Sequence, residues 1–286
     1  MAALNADDLA PLSLYELPFH LEIQKHQTQH RIALVSKWEI PVGARVLEIG
    51  CGQGDCTIVL AAAVGPTGHV TAVDPAPLTY GSPFTLGEAQ SHISSGRLGS
   101  LISWKRADPL EFLQGNSERY DIAVISHCLW YFSSPSAISD TLKLLSSRVK
   151  RVCIAEWSLS SPQSQTHILA VLAQAALECR KPTSTSNVRT VVSPKRIKEI
   201  AMTAGLRLQN EWMITPNDRV LDGRWETEHV LSENFEEEID TVTMEQREKE
   251  VVLAIKDAVE ASLAHVERGA KGVKPMDVWT AVLAGI

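Results

Sequence analysis

The stretch VLEIGCGQGD (Val46–Asp55) places three glycines directly behind a short apolar run. A loop that carries so few side chains lets its backbone approach a ligand closely. The apolar run before it and the helix-like sequence after it are typical of a strand, a turn and a helix at the carboxyl edge of a parallel sheet, where nucleotides bind. The stretch therefore predicts a binding loop and leaves the ligand open.

The spacing within this loop excludes two common ligands. A P-loop needs a lysine after its last glycine, and none follows Gly54. The dinucleotide fingerprint GxGxxG fails because Asp55 takes the place of its last glycine, and that carboxylate would repel a pyrophosphate at the helix N-terminus. An acid at this position favours a ligand that carries positive charge.

The sequence on either side of the loop alternates short apolar strands with helices. The predicted strands are Arg45–Ile49, His69–Val73, Leu101–Arg106, Asp121–Ser126, Arg151–Glu156, Leu206–Ile214 and Val278–Leu283. Helices are predicted between them, at Cys56–Val64, Thr85–Ser95 and Ser136–Leu145. This alternation predicts an α/β fold, a Rossmann-like seven-stranded mostly parallel sheet with helices on both faces.

Two segments flank or interrupt this pattern. Residues 1–43 predict an N-terminal helical lid, because their apolar side chains suffice to dock a helix. The rest of the chain, 44–286, is predicted to form one domain. A helical insertion is predicted at 160–192, after the fifth strand and on the substrate side, and it includes a polar loop at 181–186.

The sequence near the C-terminus predicts a linker and then a long helix. The acidic run Glu233–Asp240 is typical of a solvated linker. Thr243 and Gln246 form a capping box, and the apolar stripe behind them predicts a helix that Gly269 ends.

Composition limits the partners and the location. The formal net charge is −7 and no Lys/Arg-rich run occurs, which argues against nucleic acid. The five cysteines form no CxxC pair, and no basic segment followed by an apolar one opens the chain. Apolar runs such as Ile58–Val64 are too short to span a bilayer. We expect a cytoplasmic protein without a membrane or nucleic-acid partner.

Three acids near the loop suit one kind of ligand. Glu48 precedes the first glycine, and Asp74 ends the second strand, where a carboxylate accepts hydrogen bonds from ribose hydroxyls. Asp108 follows the third strand and is placed to accept a hydrogen bond from an exocyclic amine, or else to cap the next turn with Pro109. Together with Asp55 they fit a ligand with cationic groups, a ribose and an adenine.

At these residues the chain resembles the class I S-adenosylmethionine-dependent methyltransferases, over about residues 40–160. EIGCGQG (Glu48–Gly54) matches their first motif, and VTAVD (Val70–Asp74) and Ala107-Asp108 resemble their second and third. The resemblance implies S-adenosyl-L-methionine as cofactor, S-adenosyl-L-homocysteine as product, and no metal. The cofactor-binding residues that it implies are Glu48, Gly50, Cys51, Gly52, Gly54, Asp74, Pro75, Asp108, Pro109 and His127.

The acceptor is expected at the ends of strands four and five. His127 is placed to serve as a general base, or else only to bond the backbone or touch the cofactor. Trp130 and Tyr131 are interpreted either as packing aromatics or as substrate contacts, and Glu156 and Trp157 as pocket lining.

The predicted lid adds candidates to the acceptor site. His20 is a second catalytic candidate, and Tyr15 and Phe19 are substrate-binding candidates. His20, His26 and His30 lack a metal-ligand spacing with acids, so their recurrence is taken as coincidence.

The most consistent function is methyl transfer to oxygen, nitrogen or carbon of a small organic molecule, by in-line displacement. The length and general appearance of the sequence are similar to those of small-molecule methyltransferases of secondary metabolism. The same motif also suits a cyclase or isomerase that uses the bound cofactor electrostatically, a binding module, or an enzyme acting on protein side chains. The acceptor and the oligomeric state stay open.

Overall fold

The computed structural model describes residues 4–184 and 186–286, so Thr185, in the predicted loop, and residues 1–3 of the predicted lid lie outside the described residues. Seven strands occur within them: β1 (Arg45–Ile49), β2 (His69–Asp74), β3 (Ile102–Arg106), β4 (Tyr120–Ser126), β5 (Val149–Trp157), β6 (Leu206–Ile214) and β7 (Val278–Gly285). The α-helices are α1 (Ala6–Leu9), α2 (Pro18–Trp38), α3 (Asp55–Val64), α4 (Leu86–Ser95), α5 (Pro109–Gly115), α6 (Pro135–Ser146), α7 (Gln165–Glu178), α8 (Pro194–Thr203), α9 (Asp222–Val230), α10 (Glu233–Thr241) and α11 (Gln246–Leu263).

The strands form one sheet in the order β3-β2-β1-β4-β5-β7-β6, with β7 antiparallel to both neighbours. This confirms the predicted mostly parallel seven-stranded sheet. The direction of winding reverses between β1 and β4, and ligands of open α/β sheets bind outside the carboxyl ends of the strands at such a point. The loop after β1 and the end of β4 therefore meet at this edge.

Helices cover both faces of the sheet. The right-handed crossover β1-α3-β2 runs one way along the sheet and β4-α6-β5 the other, which puts α3 and α6 on opposite faces. The central strands are buried except near their ends, as expected for parallel strands covered on both sides.

Helix α2 is the predicted N-terminal helix, and it docks on the body of the protein. Leu34 and Trp38 are fully buried, and the Trp38 indole donates a hydrogen bond of 2.7 Å to the Thr280 hydroxyl on β7. No helix in the described residues has the length and apolarity needed to cross a membrane.

A second hydrophobic core lies apart from the sheet, among α7, α9, α10 and α11. We call these four helices the cap. Its buried side chains include Leu177 on α7, Phe235 on α10 and Val259 on α11. Only α7 falls within the predicted insertion at 160–192. The other three helices enter between β6 and β7, so the cap is discontinuous in sequence.

The prediction of a linker at Glu233–Asp240 is wrong, because this segment is helix α10. The Ser232 hydroxyl accepts the Phe235 amide and caps the helix, and Phe235 and Ile239, four residues apart, bury the same face in the cap. The high acidic content describes only the solvent face of an amphipathic helix.

The long helix also differs from its prediction. It begins at Gln246, with Glu245 as the N-cap residue and Glu248 completing the capping box, instead of Thr243 with Gln246. It ends at Leu263, before Gly269, because bonds between residues three apart replace the helical ones from Ala264 onward.

Candidate active site

The glycine loop follows β1 and leads into α3 with three left-handed residues. Gly50, Gly52 and Gly54 have φ values of 73°, 51° and 102°. A Cβ on Gly50 would come within 2.6 Å of the Cys128 side chain, whereas a Cβ on Gly52 would meet nothing within 4 Å. Gly50 is thus required for packing, and Gly52 faces open space where a ligand can reach the backbone.

Asp74 ties the end of β2 to this loop. One carboxylate oxygen accepts the Gly52 amide at 2.8 Å, and the other accepts the Ala76 amide at 2.9 Å. The Gly50 and Cys51 amides both donate to the Val73 carbonyl. Each Asp74 oxygen keeps a further lone pair, so the carboxylate can accept two more hydrogen bonds beside Gly52.

Glu48 lies behind the loop, away from its open side. Its side chain is buried and accepts a hydrogen bond from the Thr57 hydroxyl on α3. Burial in an apolar environment raises the pKa of this carboxyl to about 8. The structure thus places Glu48 where it fixes α3 to β1.

The other predicted cofactor residues lie around the same edge. Asp108 caps α5, with Oδ1 accepting the Leu110 and Glu111 amides, as the alternative interpretation of Asp108-Pro109 predicted. Its second oxygen and its exposed position leave it accessible. Pro75 is exposed, and Pro109 is buried as the first residue of α5.

His127 follows β4 directly and lies against the glycine loop. Its φ of 52° is unusual for a residue with a side chain, and the next residue, Cys128, packs on Gly50 and donates its thiol to the Ile49 carbonyl. Its imidazole is 8% exposed, with Nδ1 at 3.9 Å from the Glu156 carboxylate. Burial, together with the field of Arg31, holds the pKa of His127 well below its usual range.

His30 on α2 completes this cluster, and the sequence prediction missed it. Its Nε2 lies 3.0 Å from Nε2 of His127, so one ring donates and the other accepts. Burial holds the pKa of His30 well below its usual range too, and both Nδ1 atoms are buried without a hydrogen-bond partner. The sequence offered only a weak signal: His30 lies on the side of α2 that also carries Gln27 and Leu34, which are buried.

Glu156 and Trp157 end β5 next to the two histidines. The Glu156 carboxylate is buried, accepts the amides of Leu129 and Trp157, and has its pKa raised to about 7 by burial. The Trp157 indole packs on His127, with ring centroids 4.7 Å apart, and lies parallel to the His30 ring at 6.4 Å. The predicted pocket lining therefore surrounds His127.

The predicted aromatic candidates separate into two groups. Trp130 is buried and its indole donates to the Val192 carbonyl, so it packs and anchors the chain before α8. Tyr131 is 45% exposed beside the cap, and burial of its hydroxyl region raises the pKa of the phenol. Tyr15 and Phe19 are exposed near the start of α2.

His20 is not part of the imidazole pair, which uses His30 of the same helix. The two histidines are ten residues apart on α2, which corresponds to about 15 Å along the axis. His20 packs edge-on against the Phe19 ring at 4.1 Å.

Helix α9 of the cap brings two more acids to this region. Asp222 accepts a hydrogen bond from the Gln27 amide on α2 at 3.1 Å, and Glu226 accepts one from the Gln174 amide on α7. Burial raises the pKa of Glu226 to about 7, with Asp222 adding to the rise. Neither acid was a sequence candidate.

Arg31 is a cation at the same edge. It lies seven residues after Gln24 and seven before Trp38, hence on the same side of α2. Gln24 donates to Asp55 at the start of α3, and Trp38 contacts β7. In the described residues Arg31 has no ion pair and no hydrogen bond through its side chain.

A groove at the opposite edge of the sheet lies apart from this site. The described residues contain no group of three or more His, Cys, Asp or Glu that could hold a metal ion. A groove of about 600 Å³ lies where β1, β2 and β3 begin. Its polar groups pair with each other there, as in Arg45 with Glu118 and His69 with Ser103.

A family model described as a methyltransferase domain matches residues 20–211, more than half of the chain. The chain belongs to the class I S-adenosylmethionine-dependent methyltransferases. It is therefore an enzyme of methyl transfer, as its motifs predicted.

Individual relatives agree with this family. Methyltransferase phomM' of Diaporthe leptostromiformis is 28% identical over 89% of this chain and 83% of its own length. A cyclopropane-fatty-acyl-phospholipid synthase-like protein from Lactobacillus casei is 27% identical, with a TM-score of 0.85 over 98% of both chains. A putative sarcosine dimethylglycine methyltransferase from Galdieria sulphuraria shares the fold, with a TM-score of 0.52, 13% identity and coverage of 95% and 91%.

Proposed function

We propose that this methyltransferase uses S-adenosyl-L-methionine to methylate oxygen, nitrogen or carbon of a small organic molecule, with His127 as the base. The observation that carries the proposal is the contact between the two halves of the site. Cys128 packs on Gly50 of the glycine loop, and this fixes the neighbouring His127 imidazole beside the place expected for the cofactor.

The glycine loop fits the cofactor on geometric grounds. Gly52 leaves its Cβ position open, and Asp74 next to it has lone pairs free for ribose hydroxyls. Bound there, S-adenosyl-L-methionine supplies a methyl group on a cationic sulfur. Gly50, Cys51, Gly54 and the chain at Pro75 would shape this cradle through the backbone.

The outer parts of the cofactor also find matching groups. Asp108 has a free oxygen for the adenine amine, with Pro109 beside it. Arg31 offers an unpaired cation for the methionine carboxylate, at the edge that Gln24 and Trp38 of α2 hold against the sheet. Glu48 acts indirectly, by fixing α3 behind the loop.

The imidazole pair provides a path for one proton. With neutral rings, one Nε2 hydrogen lies between His30 and His127, and each Nδ1 is either a free base or an N–H. A proton taken up at His30 Nδ1 can pass through the Nε2 contact to His127. The imidazolium formed at His127 then faces the Glu156 carboxylate 3.9 Å away, which stabilises it.

The lowered pKa values of His30 and His127 also suit the two rings to accept a proton. Both rings stay neutral around pH 7, so their lone pairs are available to accept a proton from a nucleophile. Trp157 and the cap exclude water from the rings, which strengthens the attraction between the imidazolium and Glu156.

The test uses S-adenosyl-L-methionine with a trideuterated methyl group and a pool of small amines, phenols and carboxylic acids. We expect one product that carries the label, together with S-adenosyl-L-homocysteine. A rearranged product without the label would instead identify a cyclase or isomerase. If no compound changes and the labelled cofactor is not consumed, the proposed function is wrong.

A further inference from the structure

Four parts of the chain meet between the cap and the sheet edge, and we call the region where they meet the chamber. On α2, Gln27 and His30 are three residues apart and share one side, and His30 meets His127. On α9, Asp222 and Glu226 are four residues apart and also share a side. Gln27 bonds to Asp222, which brings the α2 side and the α9 side together above the imidazole pair.

Helix α7 closes the third wall. Its His167 and Gln174 are seven residues apart, on one side of the helix. The His167 ring meets the Trp157 indole edge-on at 5.3 Å, and Gln174 bonds to Glu226. The Trp157 indole at the end of β5 therefore lies between His167 and the imidazole pair, and forms the floor on this side.

The chamber has an excess of acidic side chains, and an ammonium bound there would favour the ionised forms of Glu156 and Glu226, whose pKa values burial raises to about 7. Glu156, Asp222 and Glu226 face it, and in the described residues no Lys or Arg lies within 4 Å of any of the three carboxylates. Their partners are neutral: backbone amides for Glu156 and the side-chain amides of Gln27 and Gln174 for the acids of the cap. Arg31 is close enough to influence Glu156, but it lies on the cofactor side, where a carboxylate of the cofactor would neutralise it.

Buried polar atoms without a hydrogen-bond partner lie in the same region as the acids. Nδ1 of His30, Nδ1 of His127 and Nε2 of His167 are buried and have no hydrogen-bond partner. The centroids of all three rings lie between 4.7 and 6.4 Å from that of Trp157. Native proteins leave few buried polar atoms unpaired, so three around one indole indicate a polar guest.

We propose that this chamber binds an amine, and that the methyl acceptor of this enzyme is the nitrogen of a small organic amine held by Glu226 and Asp222. This inference rests on the proposed function. Carboxylates without a cationic partner attract the ammonium. The free imidazole nitrogens lie where the ammonium must lose its proton before it can react.

The reaction balances with these groups. The ammonium gives one proton to an imidazole Nδ1, which exposes the nitrogen lone pair. The lone pair forms the new N–C bond while the S–C bond breaks, and the sulfur keeps the electron pair as a neutral thioether. Positive charge moves from sulfur to nitrogen, so fixed carboxylates around the nitrogen stabilise the transition state more than the neutral amine from which it forms.

The test compares benzylamine, an ammonium at neutral pH, with benzyl alcohol, its uncharged counterpart. Both are titrated calorimetrically into the protein saturated with S-adenosyl-L-homocysteine. We expect benzylamine to bind at least about tenfold more tightly than benzyl alcohol. Glu226→Gln should remove this difference, and Asp222→Asn should reduce it.

Glu228→Gln is the matched control, because Glu228 lies on the same helix and pairs with Arg224 at 2.8 Å. It should leave the preference for benzylamine intact. Thermal unfolding checks each variant, and if Glu226→Gln does not fold, Asp222→Asn and the wild-type comparison decide. Equal affinities of the wild-type protein for the two compounds, including undetectable binding of both, overturn the inference. An equal loss of the preference for benzylamine in Glu226→Gln and in Glu228→Gln overturns it as well.

The design separates this inference from the proposed function. If S-adenosyl-L-homocysteine binds but the preference for benzylamine is absent, only the amine inference fails. If S-adenosyl-L-homocysteine itself does not bind, the proposed function fails first.

Discussion

The proposed cofactor side and the proposed acceptor side of this site are built in opposite ways. The glycine loop, Asp74 and Asp108 are local: each follows its own strand, and the backbone of a short segment forms most of the surface. The acceptor side joins His30, His127 and Glu226, which lie almost 200 residues apart in sequence. A short motif therefore describes the first region, and only folding assembles the second.

The largest expected effect is on the acceptor side, where His127→Ala should lower the turnover number by about 10²-fold or more. The imidazole that receives the proton beside Glu156 is then missing. Affinity for S-adenosyl-L-homocysteine should change little, because the glycine loop stays intact. Turnover is measured on an acceptor that the wild-type enzyme methylates. Retained turnover would show that His127 only packs.

Substitutions of Gly50 and Gly52 should have different effects, the first on packing and the second on cofactor binding. Gly50→Ala places a Cβ 2.6 Å from Cys128 at a positive φ, and should lower the free energy of unfolding by about 2–4 kcal/mol. Gly52→Ala meets no neighbour and should cost only about 1 kcal/mol of stability. Its added methyl group should instead weaken S-adenosyl-L-homocysteine binding. Denaturant unfolding and calorimetry on both variants check this, and equal stability losses would refute the distinction.

Asp74→Ala should weaken S-adenosyl-L-homocysteine binding by about 1–3 kcal/mol, because ribose hydroxyls lose their acceptor and the Gly52 amide loses its own. The surface residue Asp121, which pairs with Lys150 at the other end of the sheet, provides the control Asp121→Asn. An unchanged dissociation constant in Asp74→Ala would reject the role in ribose binding.

Arg31→Ala should weaken the same ligand by about tenfold, since a carboxylate loses its charged partner. Lys37→Ala, on the same helix near its C-terminal end, is the control and should have no effect. Methylthioadenosine, which lacks the carboxylate, should bind Arg31→Ala and the wild-type protein equally. If both ligands weaken together, Arg31 acts on α2 as a whole and does not contact the carboxylate.

A separate effect, on stability and its dependence on pH instead of on binding or turnover, is expected at Glu48. Its folded pKa of about 8 lies above the ordinary value of 4.5, so the folded state holds a proton that the unfolded state has released. Its contribution is complete below pH 4.5, falls by about 1 kcal/mol per pH unit above it, and is lost above pH 8. Relative to Glu48→Gln, the wild-type protein should lose stability in this window. Thermal unfolding at several pH values tests this, with Glu250→Gln as the exposed control.

The sequence predicted the sheet and the position of the glycine loop because local patterns determine both. Arg45–Ile49 and Leu206–Ile214 were predicted with the bounds that the structure shows, and the alternation of strands and helices predicted the mostly parallel sheet. The cap was largely missed, because the acidic face of α10 is typical of a linker and the apolar positions Phe235 and Ile239 are only two. Whether such a segment forms a packed helix or a linker depends on burial in the folded protein, which sequence composition does not report.

The acceptor side was predicted only in part, for a related reason. His127, Glu156 and Trp157 end consecutive parallel strands, so their proximity follows from the topology. His30 and Glu226 approach through the docking of α2 and α9, and no spacing in the sequence indicates that docking. Glu48 was expected at the ligand, but the strand period turns its side chain into the body beneath α3.

The most direct measurement is the calorimetric titration of S-adenosyl-L-homocysteine into the wild-type protein, His127→Ala and Asp74→Ala. The account predicts saturable one-to-one binding to the wild-type protein, nearly the same affinity in His127→Ala, and a clear loss in Asp74→Ala. Absence of binding to the wild-type protein, or equal affinity in all three, would contradict the assignment of the glycine loop as the cofactor site.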